Sequence, residues 1–235
     1  MSWSSTSGWG GKGWSRSAAV VDQTPFALAT GTPASSTSPR VTTTAVAPVG
    51  SVVVCCVTVS AALTAGSPVF QDTRGNTWVE ETVVQAGATA FRLRTYRCAV
   101  TTQIEIGDSL GPNFTVATGP YIAACCSAGL GAGDLLTHAG FNSPATVTIA
   151  TTIPALSAQP EYLFMGYLSD HYTNTVAPAG WVGVVSMLTG APGNSSFGVR
   201  IFAKRVTTTA SDATFAQTLA GNASWAAQYL TYNSL

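Results

Sequence analysis

Residues 51–60, SVVVCCVTVS, and residues 121–128, YIAACCSA, decide the fold. Each is a short apolar run bounded by turn-forming residues. The first is dominated by the β-branched types that favour strands over helices. Successive side chains on a strand point to opposite faces, and both runs are apolar at odd and even positions alike. Such strands lie centrally, or have an outer face covered by a neighbouring subunit. Outward from them the same pattern recurs: NTWVEETVV from Asn76, AFRLRTYRCAV from Ala90, EYLFMGYLS from Glu161, FGVRIFAKRV from Phe197 and SWAAQYLTY from Ser224. Clusters such as DTRGN (72–76), GDSLGPN (107–113) and GAPGNSS (190–196) separate them. Many short strands with turn chemistry between them predict an all-β antiparallel β-sandwich. We place it in the jelly-roll type, spanning residues 18–235.

Alternation assigns faces. Val199, Ile201 and Ala203 oppose Arg200, Phe202 and Lys204; Phe215 shares a face with Gln217 and Leu219; Trp225 shares one with Ala227 and Tyr229. This is the pattern of half-buried antiparallel strands. No segment has helical periodicity, and at most a short helical turn is expected near residues 130–137. The glycine-rich GLGAGD (129–134) reads as a flexible connection, since no lysine follows it as a phosphate loop requires.

Composition narrows the function. Of 235 residues only 9% are Asp, Glu, Lys or Arg, against roughly 25% in an ordinary soluble domain. Ten basic residues balance ten acidic ones, which argues against nucleic acid or an anionic membrane surface as partner. No apolar run is long enough for a membrane-spanning helix. The first 20 residues lack the basic start and apolar stretch of a secretory signal. A neutral, charge-poor chain favours association, so much of its surface is expected to meet other protein.

Residues 1–17 are Gly, Ser, Trp and little else, and cannot build a core of their own. Trp3, Trp9 and Trp14 mark the segment as an extended docking arm, because tryptophan is enriched among interface anchors. Arg92, Arg94 and Arg97 form the one basic cluster, with Arg92 and Arg94 sharing a strand face with Tyr96 and Cys98. That face is expected to be solvated and to discourage edge pairing, or to carry a salt bridge to a neighbouring subunit.

Catalytic constellations are not evident. His171 follows Asp170 in a loop, but no nucleophile turn accompanies them. Glu80 and Glu81 are adjacent on a strand and face opposite ways, so they do not form a paired-carboxylate site. Five cysteines, Cys55, Cys56, Cys98, Cys125 and Cys126, lack zinc-ligand spacing. They read as small buried hydrophobes, with a disulfide between the two adjacent pairs open if their strands are neighbours. Neither a metal nor another cofactor is expected. In DTRGNTW, Asp72 suits a turn acceptor and Gly75 a positive φ; one carboxylate is too few for calcium.

The turn at Asp72, Gly75, Asn76, Thr77 and Trp78, the segment Pro178, Gly180 and Trp181, and a terminal Trp225 strand after a Phe215 strand together resemble the β-sandwich domains of structural proteins of tailed bacteriophages. Such domains occur in tail, fibre and head-appendage proteins. The resemblance covers residues 24–233 and implies a non-enzymatic virion protein assembled in the host bacterial cytoplasm. It would be a capsid decoration or head appendage, or a minor tail component, joined to other virion proteins and sister subunits. The alternative is a carbohydrate- or receptor-binding module of a tail fibre or baseplate. Tyr121, Tyr172 and Trp181 are then the candidate ligand-binding aromatics and a host-surface glycan the ligand.

Overall fold

The structure is a computed structural model. It describes residues 24–60, 67–85, 91–127, 130–152, 161–169, 177–188, 198–206 and 214–234. Among the described residues the chain is all-β, with no helix and hence none able to cross a membrane. The strands are β1 (Phe26–Gly31), β2 (Val41–Thr42), β3 (Val52–Ser60), β4 (Val69–Asp72), β5 (Trp78–Gln85), β6 (Phe91–Ala99), β7 (Ser109–Asn113), β8 (Tyr121–Ser127), β9 (Leu130–Thr152), β10 (Glu161–Ser169), β11 (Val182–Leu188), β12 (Gly198–Val206) and β13 (Thr214–Ser234).

They form three sheets, with orders β1-β8-β3-β6-β5, β11-β12-β10-β13-β9 and β2-β7-β4. The two large sheets stack strand over strand. β1 lies on β11, β8 on β11 and β12, β6 on β10 and β13, and β5 on β13 and β9. This is the aligned packing of a β-sandwich. The first eight strands make one large sheet and the small one, and the last five make the other large sheet. That segregation establishes the antiparallel sandwich and does not establish the jelly-roll winding.

The apolar run of β3 divides between two cores. Val52, Val54 and Cys56 face the second large sheet, where Val199, Ile201, Ala203, Ala226 and Leu230 meet them. Val53, Cys55, Val57 and Val59 face the other way, toward Leu28, Phe70, Tyr96, Ile104 and Leu110. β8 divides likewise, with Ala123 and Cys125 on one side and Ile122, Ala124 and Cys126 on the other. The first sheet is therefore the middle layer, and the small sheet covers its outer face. The covering surface, for which a neighbouring subunit was the alternative, comes from the chain itself. Each fully buried Val contributes on the order of 1.5–3 kcal/mol, so apolarity on both faces has a direct energetic origin.

The outer face of the second sheet is covered too. Ala203 and Ile201 point into the sandwich, so Phe202 points out, yet Phe202 is only 2% exposed. β13 pairs with β10 as far as Trp225↔Ser169 and continues beyond it with β9 alone, through a register shift between Thr218 and Ala223. The extra residues bend this ribbon. Phe215, at its far part, meets Phe202 at 5.5 Å and Trp181 at 5.2 Å between ring centroids. Phe215 and Gln217 are buried while Ala216 and Thr218 are exposed, the alternation expected of that segment. Residues 225–232, by contrast, are buried on both faces.

One local expectation is corrected. Residues 130–137 are neither a helical turn nor a flexible connection but the start of β9, paired as Leu130↔Ser234 and Leu135↔Tyr232. Glycine weakens an isolated strand, but here the ladder with β13 supplies the partner that local propensity lacks.

Candidate functional site

Asp72 is committed to its own turn. Its Oδ1 accepts from the backbone N–H of Arg74 (2.7 Å) and of Asn76 (3.3 Å) and from Asn76 Nδ2 (3.4 Å); its Oδ2 accepts from Trp78 Nε1 (2.6 Å). Gly75 has φ +74°, a conformation that side-chain-bearing residues rarely adopt. Asn76, 6% exposed, ties the turn to the next loop: its Oδ1 accepts from the N–H of Thr101 (2.9 Å) and Thr102 (2.8 Å), and its Nδ2 donates to Thr102 O (2.9 Å). Arg74 Nε donates to Asp108 Oδ2 (2.5 Å), which also accepts from Glu105 N–H (2.7 Å). Desolvation pushes the Asp108 carboxyl up, but the bonds from Arg74, Glu105 and Thr73 outweigh it and hold it below its ordinary value. This is a structural junction between the middle and outer layers. An open depression of about 500 Å³ runs along it from Val69 to Trp78.

The arginine cluster is internal rather than solvated. β6 lies between β3 and β5, so it is not an edge. Arg94 is 2% exposed and forms an ion pair with Glu80. Arg97 pairs with Glu81. Adjacent glutamates face opposite ways, and positions 94 and 97 differ in parity, so each carboxylate finds a guanidinium on its own side of the sheet. A register shift between Glu80 and Val83 accommodates both. Arg94, expected to face a partner, thus has its charge met within the chain. Arg92, on the same strand, is half-buried.

The remaining sequence-derived residues do not converge. Trp3, Trp9, Trp14 and Tyr172 lie outside the described residues. Tyr121 packs against the core between the large sheets. Trp181 follows a turn closed by its own N–H donating to Pro178 O (2.9 Å). It is only 5% exposed and sits edge-on to Phe215, with Lys204 Nζ 5.9 Å from its ring centre. A Pro-x-Gly-Trp loop suggests an exposed aromatic; the bent β9–β13 ribbon covers it instead.

All five thiols are free and buried, although β3 and β8 are neighbours. Desolvation pushes Cys56 and Cys98 up to about 12 and Cys126 to about 11, and holds Cys55 and Cys125 well above the ordinary thiol value. The thiolate is the reactive form, so these cysteines are packing groups. Among the described residues no three of His, Cys, Asp and Glu gather to hold a metal ion.

Large aliphatic side chains also stand at the surface. Among the described residues seven large aliphatic side chains are exposed, and four of them, Val49 (62%), Val69 (62%), Ile106 (66%) and Val116 (50%), belong to the small-sheet layer and its loops. Residues 43–51 run antiparallel to 100–108 there, through Ala47↔Ile104 and the Gly50 N–H to Val100 O bond. Sequence patterning missed this set, because single valines in turn-rich stretches carry no periodic signal. In comparisons with family models, curated proteins and solved structures, the chain matches none.

Proposed function

We propose that the chain is a non-enzymatic structural protein of a tailed-phage virion. It is attached through residues 1–17 and packed against sister copies by its small-sheet layer. The role is that of a capsid decoration, head appendage or minor tail component. The observation that carries this reading is how charge and aliphatic surface are divided. Arg94–Glu80, Arg97–Glu81 and Arg74–Asp108 are pairs within the chain, while Val49, Val69, Ile106 and Val116 stay in water on one layer. Burying such a side chain against a partner is favourable by up to about 1.5–3 kcal/mol, and a closed ring of identical copies is the usual way to do so.

The arm is tested by particle incorporation. The chain beginning at Ala18 should fold as the parent does and be absent from purified particles that contain the full chain. Normal incorporation of the shortened chain would remove the arm from the account.

A further inference from the structure

Among the described residues β4 is an outer strand of the small sheet, laddered with β7 alone. The register fixes which way its backbone points. Phe70 stands opposite Pro112, which has no N–H, so the pairs that exchange ladder bonds are Val69↔Asn113 and Gln71↔Gly111. Two bonds agree with this alternation. Thr73 N–H donates to Ser109 O (3.0 Å), and Pro112 O accepts from Arg40 Nη1 (2.8 Å) rather than from β4. The N–H and C=O of Phe70 and the N–H of Asp72 therefore point away from β7, toward the open edge. Residues from both faces of β4, Val69 and Gln71 as well as Phe70 and Asp72, line the depression of about 500 Å³. It thus runs along the edge of the strand rather than over one face. Its aromatic wall is Phe70 and the half-buried Trp78, 4.4 Å apart between ring centroids.

We propose that residues 7–11 of a sister copy's arm add to β4 as a further strand, with Trp9 seated in the depression. An open sheet edge recognises an extended backbone through its own N–H and C=O groups, and a neighbouring pocket selects the side chain. The arm meets both demands. Residues 1–23 contain no proline, so none of their ladder donors is missing. Trp9 stands between Gly8 and the pair Gly10–Gly11, and glycine in a strand permits close backbone approach. The indole matches the wall of Phe70 and Trp78. Charge agrees as well. Before Asp22 the arm holds Lys12 and Arg16 and no acid. Beside the depression three carboxylates, Asp72, Glu105 and Asp108, act on the single guanidinium of Arg74, while Arg40 is engaged at Pro112 O and Asn113 Oδ1. A sister copy is the donor because exchange of identical arms repeats one contact around a closed ring, on the layer where Val49 and Ile106 are also exposed. The inference rests on the reading of residues 1–17 as a docking arm and supplies its acceptor.

Photo-cross-linking of the full chain carrying benzoylphenylalanine in place of Trp9, with sedimentation velocity of the same sample, tests the proposal. The cross-link should join two chains and fall within residues 69–78. Thr77→Arg, at an exposed position lining the depression, should cut its yield about tenfold, as for the loss of one anchored side chain, with the circular dichroism unchanged. Lys12→Glu with Arg16→Glu, which reverses the charge of the arm and leaves the sandwich untouched, should lower it too. Chains that associate but cross-link elsewhere or only internally, or that keep the full yield in the charge-reversed arm or in a folded Thr77→Arg protein, would overturn this site and leave the assembly reading standing. Chains that do not associate at all would overturn both.

Discussion

Arg94, on an interior strand of the middle sheet, is ion-paired with Glu80 on the edge strand β5, and their side chains are only 3% and 15% exposed. An arginine in that position is not a surface handle. Glu80→Gln removes the carboxylate from a buried guanidinium and should cost about 3–5 kcal/mol. The neighbouring pair is more open on its basic side, with Arg97 at 22%, and Glu81→Gln should cost less, on the order of 1–3 kcal/mol. Urea unfolding of the two variants checks the order; two midpoints equal to the parent's would contradict the internal role of the pairs.

The thiols predict an alkaline limit to stability. An unfolded thiol ionises near 9.0, whereas folded Cys126 is held up to about 11 and Cys56 and Cys98 up to about 12. Below pH 9 both states hold the protons and the contribution is fully present. As pH rises from 9 toward 11–12 the unfolded chain releases protons that the folded one keeps, so stability falls. Unfolding midpoints should therefore decline across that window. A thiol reagent at neutral pH should label none of the five cysteines in the native chain and all of them in guanidinium. Rapid native labelling of Cys56 or Cys125 would show that the two-core packing is wrong.

The Asp72 junction predicts a graded series. Asn76→Ala removes a buried amide that satisfies the backbone of Thr101 and Thr102, and should cost about 2–3 kcal/mol. Gly75→Ala places a side chain at φ +74° and should cost about 1–2 kcal/mol. Since Asp108 is held below its ordinary value by Arg74, the contribution of that contact is present above the unfolded carboxyl range and lost as pH falls through the folded value. Acid titration of the Arg74→Ala variant should lack that component.

The middle sheet was legible because its residues obey two simple rules. Apolarity on both faces at 52–59 placed β3 in the interior, and adjacency placed Glu80 and Glu81 on opposite sides. The partners of those glutamates were not legible, since the bulge before Val83 is set by tertiary pairing and leaves no mark on local composition. The small sheet was hidden for a different reason. β2 has two residues and β4 four, too few for alternation to register. Trp181 misled because a turn motif reports backbone shape, not whether another segment folds over it.

Phe215 carries the cover over the outer face of the second sheet. Phe215→Ala should cost about 3–5 kcal/mol and raise hydrogen exchange at Trp181 and along β12, while leaving the β3 and β8 amides protected. Uniform loss of protection in both sheets, or none in either, would contradict a separate ribbon layer.

The central claim is that this chain is held by copies of itself through the small-sheet layer. Sedimentation velocity of the full chain across a wide concentration range tests it most directly, beside a Val49→Lys, Ile106→Lys double variant. The account predicts concentration-dependent association of the parent and one-chain mass for the folded double variant. A parent that stays a monomer throughout, or a double variant that associates as the parent does, would contradict it.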